Sequence, residues 1–294
     1  MKNLATKLAP AGFVLLWSTG FIGVKYGIPY SSPLIFVALR MVIAALLLAL
    51  ITVIVARDFP HDISSILKSS AIGVTLHGAY LGGCFYSVSK GMSAGIVALI
   101  VCLQPVVVSI AASYFLKEKL RARSVLGLAL GLIGVITVLI PRISGADKLS
   151  NISIATAFIA LIGGSSGTLL QKKFAAEIPM LAGATYQYAA TAVVIGSIAL
   201  FSEPIFIDWT PQFLFALLWL VFALSLGAIL LLFFLLKSGT AAEVSSLYYL
   251  VPAVTAFMAY LLFDEKISPI TALGTFIAVV GVWLVTGKKN APKR

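Results

Sequence analysis

Apolar runs of about twenty residues, separated by short connectors carrying Pro, Gly or charge, recur from one end of the 294-residue chain to the other. A bilayer core about 30 Å thick takes about 20 helical residues per crossing. On that ruler the pattern predicts ten spans, at 9–28, 33–56, 67–88, 93–115, 122–141, 153–172, 178–201, 211–236, 240–263 and 269–286. No connector is long enough for a soluble domain, so any activity is expected inside the membrane. The start, MKNLATKLAP, runs into the first apolar stretch with no small-residue cleavage site behind it, which predicts a retained helix rather than a signal peptide.

The pattern is also duplicated. Residues 90–138 reappear as 237–285 at a constant offset of 147: Lys90 with Lys237, Ala94 with Ala241, Pro105 with Pro252, Glu118-Lys119 with Glu265-Lys266, Gly127 with Gly274, and Gly134 with Gly281. The match reaches the first helices, where Ser18, Gly20 and Lys25 align with Ser165, Gly167 and Lys172. The chain therefore reads as two units, 1–146 and 147–294, of five helices each. Because five is odd, tandem units enter the membrane from opposite sides, which predicts an inverted repeat in an all-α integral membrane protein. Of the 21 Lys and Arg, fifteen fall on the connections that share a side with the N-terminus, five fall on the other set, and Arg40 lies within a span. Both termini are accordingly expected in the cytoplasm.

Composition narrows the functional classes. Apolar residues make up 61% and charged residues 11%, where soluble domains carry about 25% charge. A net charge of +11 would suggest nucleic acid in a soluble protein, but here the basic residues flank the spans, and no nucleic-acid partner is expected. The two cysteines, Cys84 and Cys102, lie in apolar spans without His, Cys or acidic partners at ligand spacing, so neither a disulfide, a metal nor a cofactor is expected. An intramembrane enzyme would need a nucleophile with a base, paired acids or a metal cluster, none of which the sequence offers.

The repeated motif resembles the EamA-type branch of the drug/metabolite transporter superfamily. It consists of Pro, twelve residues, Glu-Lys and, seven residues on, Gly, at Pro105, Glu118, Gly127 and at Pro252, Glu265, Gly274, joined by Trp17-Ser18 and by Arg40 in the run ALRMVIAALLL. The resemblance implies spans 1, 3, 4, 6, 8 and 9 around a central cavity, spans 5 and 10 to one side, and a multi-pass protein of the bacterial inner membrane. It also implies secondary transport of a small molecule. Export of amino acids or related amphipathic solutes by alternating access is the leading expectation, with a channel-like facilitator or a drug or cation exporter as alternatives.

Polar groups inside spans are costly and mark a cavity. His77, Tyr80 and Cys84 stand at i, i+3, i+7, which puts them on one helical face. Gln104, Trp17, Ser165, Trp219, Ser246 and Tyr248 are the further candidates for the lining. Pro105 and Pro252 sit within spans and are expected to break their helices, freeing the carbonyls of Val101 and Tyr248. The copies disagree at these sites: His77 answers to Leu224, Tyr80 to Gly227, and Glu243 to Ile96. That asymmetry suggests a polar half on spans three and four and a more aromatic half on spans eight and nine, suited to amphipathic solutes. His77 and Glu243 are candidates for proton coupling, although an acid at the start of span nine would also serve as a helix N-terminal charge. Glu118-Lys119 and Glu265-Lys266 are expected to cap the helices that follow them. Gly127, Gly131 and Gly134, matched by Gly274, Ala278 and Gly281, form small-residue stripes that either join the halves or support a homodimer through spans five and ten.

Overall fold

The computed structural model describes residues 2–56, 59–60, 62–92, 97, 100–143, 150–174, 176–263 and 269–286. Within these, the side chains of 2–7, 21–22, 25, 138–143, 256, 259–260, 262–263 and 271 are not described. The expected motif positions Ala94, Ile96, Glu265 and Lys266 lie outside the described residues, as does the Lys25 side chain.

The described residues are helical apart from connectors and one isolated antiparallel bridge between Ser31 and Ile207. Helix α1 covers Lys2–Gly27 and leads through a tight turn, Ile28–Tyr30, into α2, Pro33–Ile51, which continues as a wide π-helical turn, Thr52–Ala56. Next, α3 (Ile63–Gly73) and α4 (Tyr80–Ser89) form one rod interrupted by the π turn Val74–Ala79. They are followed by α5 (Gln104–Phe115), α6 (Ala122–Ile143), α7 (Asn151–Phe174) and α8 (Met180–Ser202). A second interrupted rod runs through α9 (Pro211–Trp219), a π segment Leu220–Ala228 and α10 (Ile229–Ser238). Finally come α11 (Ala241–Ser246), a 3-10 turn Leu247–Leu250, α12 (Val251–Phe263) and α13 (Pro269–Thr286).

Four of the described helices combine the length and hydropathy of a membrane crossing: Pro33–Ala56, Asn151–Phe174, Met180–Ser202 and Pro211–Ser238. Shorter apolar helices include Gln104–Phe115, Ala122–Thr137 and Ala272–Thr286. Large apolar side chains such as Leu46, Phe201, Phe276 and Trp283 are exposed on the bundle's outside, where lipid rather than water is the fitting solvent. The protein is a multi-pass integral membrane protein.

Helices at the 147-residue offset pack against each other antiparallel. The N-terminus of α2 meets the C-terminus of α8, where Ile35 N–H donates to Glu203 Oε1 at 2.7 Å, while Thr52 at the far end meets Thr185 at 3.3 Å. In α6 and α13 the pairs run Gly127 with Gly281 and Gly134 with Gly274. A Cβ on Gly127 would stand 2.7 Å from the Gly281 carbonyl, and one on Gly134 would overlap the backbone of Ala278. In lipid, apolar contact brings little transfer gain, and close backbone approach supplies the packing instead. The glycine stripes thus face each other within one chain.

The interruptions also recur at the offset. Val74–Ala79 shifted by 147 falls inside the π segment Leu220–Ala228. At one end of the bundle the 203–210 connector clamps the 28–32 turn: Ser32 N–H donates to the Phe206 carbonyl at 3.0 Å and Asp208 N–H to the Tyr30 carbonyl at 2.7 Å. At the other end Lys68 pairs with Glu177 at 2.6 Å and Tyr186 Oη donates to the Pro60 carbonyl at 2.9 Å.

Candidate functional site

Phe13 and Trp17 stand four residues apart on α1 and therefore share a stripe. Their rings lie 5.2 Å apart, and both meet Tyr248 edge-on, at 5.4 and 5.2 Å. Trp17 also reaches Tyr80 at 6.3 Å. Four aromatic rings from three chain segments far apart in sequence thus meet in the interior.

Two breaks in helix geometry set this group up. Pro252 has no N–H, and the chain before it tightens into the 3-10 turn that carries Tyr248. Within that turn the Tyr248 carbonyl, expected to be freed, accepts the Val251 N–H. Similarly, Pro105 lies in the first turn of α5 after a break at 102–103, where its missing N–H costs nothing. Both prolines therefore start new helical segments rather than kink continuous ones. Gln104, just before Pro105, donates from Nε2 to Thr168 Oγ1 on α7 at 3.2 Å. A Cβ on the intervening Gly164 would lie 2.8 Å from Tyr80 Cδ2 and 2.9 Å from Gln104 Oε1, so only glycine lets both side chains rest on α7. Beside it the Ser165 hydroxyl is buried without a protein partner.

Trp17, Tyr80, Gln104 and Tyr248 are therefore gathered together, with Ser165 adjoining and Cys84 packed against Tyr80. His77 is not among them. Its ring stacks on Tyr188 of α8 at 4.5 Å and 13°. The reason is the π turn: the Tyr80 N–H reaches back five residues to the Thr75 carbonyl, and the wider turn breaks the i, i+3 alignment that a regular α-helix would give. Trp219 also lies elsewhere, 38% exposed, stacked on Phe215 and donating from Nε1 to Thr19 Oγ1 at 3.0 Å. Ser246 is buried and donates to the Glu243 carbonyl of its own helix.

Glu243 closes a capping box with Thr240: its Oε2 accepts the Thr240 N–H at 3.0 Å, and Thr240 Oγ1 accepts the Glu243 N–H at 3.1 Å. The same helix start receives a second acid. Glu118 was expected to cap the helix that follows it, but the Lys117 backbone turns left-handed (φ 54°) and both Glu118 oxygens accept the Ala241 N–H instead, at 3.1 Å each. Lys172 at the end of α7 donates to the Leu236 carbonyl in the last turn of α10 at 2.8 Å and to the carbonyl of Gly239 just beyond it. Under these polar ties Val108, Ala112 and Ala241 pack with Leu116 and Leu169. Helices α5, α7, α10 and α11 are thereby bound together at one end of the bundle.

A second interior cluster was not anticipated. Arg40 Nε donates to Ser225 Oγ at 2.8 Å, Tyr188 Oη donates to the Ser225 carbonyl at 2.9 Å, and Gln187 Nε2 donates to Gln171 Oε1 at 2.9 Å. The sequence held two signals for it, Arg40 itself inside a span and Gln187 standing 147 residues after it.

Outside the spans, the Asp62 carboxylate accepts the Ser65 N–H at 2.8 Å, which holds it below its ordinary value. Desolvation has the opposite effect on Glu203 and raises it, against the backbone N–H groups it accepts. A cavity of about 420 Å³ lies along α4, α7 and α8, bordered by Gly78, Gly83, Tyr86, Ile159 and Ile195. It holds none of the expected site residues. Among the described residues no set of His, Cys, Asp and Glu is placed to hold a metal ion.

Aromatic, amide and hydroxyl groups drawn from distant helices into the middle of a multi-pass bundle have the build of a membrane transport protein. The EamA-like transporter family model matches residues 8–140 and 151–287, and the chain belongs to that family. It is 28% identical over 310 residues to the uncharacterized transporter YvbV of Bacillus subtilis, covering 100% of this chain and 96% of that one. To a protein of Escherichia coli named probable amino-acid metabolite efflux pump it is 23% identical, covering 92% of this chain and 91% of the other. One crystal structure superposes with a TM-score of 0.79 at 19% identity over 95% of both chains, a likeness of fold.

Proposed function

We propose that the protein is a secondary transporter that exports a small amphipathic solute, an amino acid or close relative, across the bacterial inner membrane by alternating access. The observation that carries this reading is the meeting of Trp17, Tyr80 and Tyr248 beside Gln104. Aromatic faces take an apolar side chain, while the Gln104 amide, Thr168 and the unpartnered Ser165 hydroxyl offer hydrogen bonds to a polar head. The name of the Escherichia coli relative agrees with export of an amino-acid metabolite.

In this reading the chain crosses the membrane ten times as two inverted five-helix units with both termini in the cytoplasm. The antiparallel packing of α2 on α8 and of α6 on α13 supports inversion, since each pair consists of repeat partners. The Lys and Arg distribution makes the Glu118 end cytoplasmic, and the transporter is then closed toward the cytoplasm. Glu243 is engaged in its capping box and His77 is turned toward Tyr188, so neither touches the aromatic group; facilitated export without proton exchange at these two residues follows.

The test is efflux from proteoliposomes preloaded with neutral aromatic and branched amino acids, nucleobases or cationic drugs, with and without a pH gradient. Saturable efflux of the neutral amino acids, indifferent to the gradient, is expected. Efflux of the cations alone would overturn the substrate class, and efflux driven by the gradient would overturn the uncoupled mechanism.

A further inference from the structure

Arg40 lies well inside α2 and is 5% exposed, and the groups around it are as deeply buried: Ser225 and Tyr188 at 0%, His77 at 1%. Its Nε–H is taken up by Ser225, and among the described residues its two terminal nitrogens find no protein acceptor. The acidic residues among the described ones, Asp62, Glu118, Glu177, Glu203, Asp208 and Glu243, stand in connectors or at helix ends. Glu203, which caps the start of α2, accepts the Ile35 N–H, and five residues of helix, about 7.5 Å of rise, separate Ile35 from Arg40. The one ion pair among the described residues, Lys68 with Glu177, lies at the end of the bundle where α3 begins.

A guanidinium stays charged under all ordinary conditions, and a buried unpaired charge costs several kcal/mol unless something neutralises it. Tyr188 cannot do so, because its hydroxyl donates to the Ser225 carbonyl. On the face of Tyr188, His77 Nε2 is buried without a protein hydrogen bond, and so is Oε1 of the neighbouring Gln187. Ser225 holds the guanidinium by its Nε edge, which leaves the planar fork of terminal N–H groups presented to an acceptor.

We propose that Arg40 binds a small monovalent anion within the membrane interior, held by the terminal N–H groups of its guanidinium and walled by Tyr188 and His77. The anion supplies the negative charge that no described residue places there, where α2, α8 and the π segment before α10 meet. The site is separate from the aromatic group around Trp17, and the inference holds whatever the protein transports. A free halide and a carboxylate group would satisfy the same donors, and the test distinguishes them.

Thermal unfolding of the purified full-length protein in detergent is followed in sodium bromide, sodium acetate and sodium gluconate at equal ionic strength. A saturable rise of the midpoint over gluconate, of about 3 °C at ten times the dissociation constant, is expected with bromide or acetate. A response to both assigns a small-ion site, and a response to acetate alone assigns a carboxylate site. In Arg40→Gln the response is lost. Should that variant not fold, Ser225→Ala, which keeps the guanidinium, retains the response, and bromide anomalous scattering places a peak beside Arg40. A wild-type midpoint indifferent to the anion, an undiminished response in Arg40→Gln, or bromide found away from Arg40 overturns the proposal.

Discussion

Both carboxylate oxygens of Glu118 accept the backbone N–H of Ala241 at 3.1 Å, a tie across 123 residues between the α5–α6 connector and the start of α11. A helix start presents unsatisfied N–H groups and the positive end of the macrodipole, so a carboxylate is the group best suited to hold it. The tie fastens one end of the bundle, and opening that end requires it to break. Replacing such a cap by alanine costs about 1 kcal/mol, equivalent to a roughly fivefold shift between closed and open forms. Glu118→Ala is therefore expected to raise thiol labelling of the buried Cys102 from the Glu118 face about fivefold in a Cys84→Ser background. Glu118→Gln, which keeps an acceptor oxygen, should raise it less. Labelling unchanged in Glu118→Ala would show that the tie does not hold this end shut.

The site's geometry separates residues that one helical stripe would have joined. Tyr248→Leu and Gln104→Ala remove an aromatic wall and the amide from the site, and each is expected to raise the half-saturation concentration for transport about tenfold, with size-exclusion profiles unchanged. His77→Phe keeps a ring against Tyr188 and should stay within about twofold of the parent, because His77 faces α8. A tenfold effect of His77→Phe with none from Tyr248→Leu would place the site at the wrong cluster.

The seam between α6 and α13 depends on absent side chains. A Cβ on Gly134 would overlap the Ala278 backbone, which can yield only if a helix moves, whereas a Cβ on Gly12 would sit 3.5 Å from Leu231 Cδ1 in ordinary contact. Overpacking costs about 1–3 kcal/mol for each such intrusion. Gly134→Val should lower the unfolding midpoint in detergent by about 5 °C or more, and Gly12→Ala should leave it within about 2 °C. Equal effects would mean that the helices are not held by this contact.

Glu203 supports α2 through the Ile35 N–H while desolvation raises it above its ordinary value. An acid raised in the folded state binds its proton more tightly there than in the unfolded chain, so its linkage favours the folded form at low pH. That contribution is lost as pH rises through the raised value. Glu203→Gln keeps an oxygen for Ile35 and cannot ionise. Its unfolding midpoint should gain on the parent as pH goes from 4 to 7, and a gap constant with pH would exclude this linkage.

The all-helical, membrane-embedded class was legible in the sequence because lipid permits few alternatives: apolar runs become helices, and the offset of 147 matches α2 with α8 and α6 with α13. The glycine stripes and the two proline breaks were readable for the same reason, being backbone constraints written as residue types. The side of a helix was harder to read. His77 and Tyr80 separate because a π turn carries no composition signal, and the α8 partners Gln187 and Tyr188 became visible only once α2 and α8 were seen to lie side by side. Glu118 was legible as a cap, but the helix it caps is remote in sequence, and only packing could reveal it.

Alternating access around the aromatic group is tested most directly by counterflow. Proteoliposomes loaded with a high concentration of an unlabelled neutral amino acid and diluted into a trace of the labelled one should transiently concentrate the label inside, and Tyr248→Leu should weaken the overshoot. Label that merely equilibrates, with flux rising in proportion to concentration, would contradict a carrier and leave a channel.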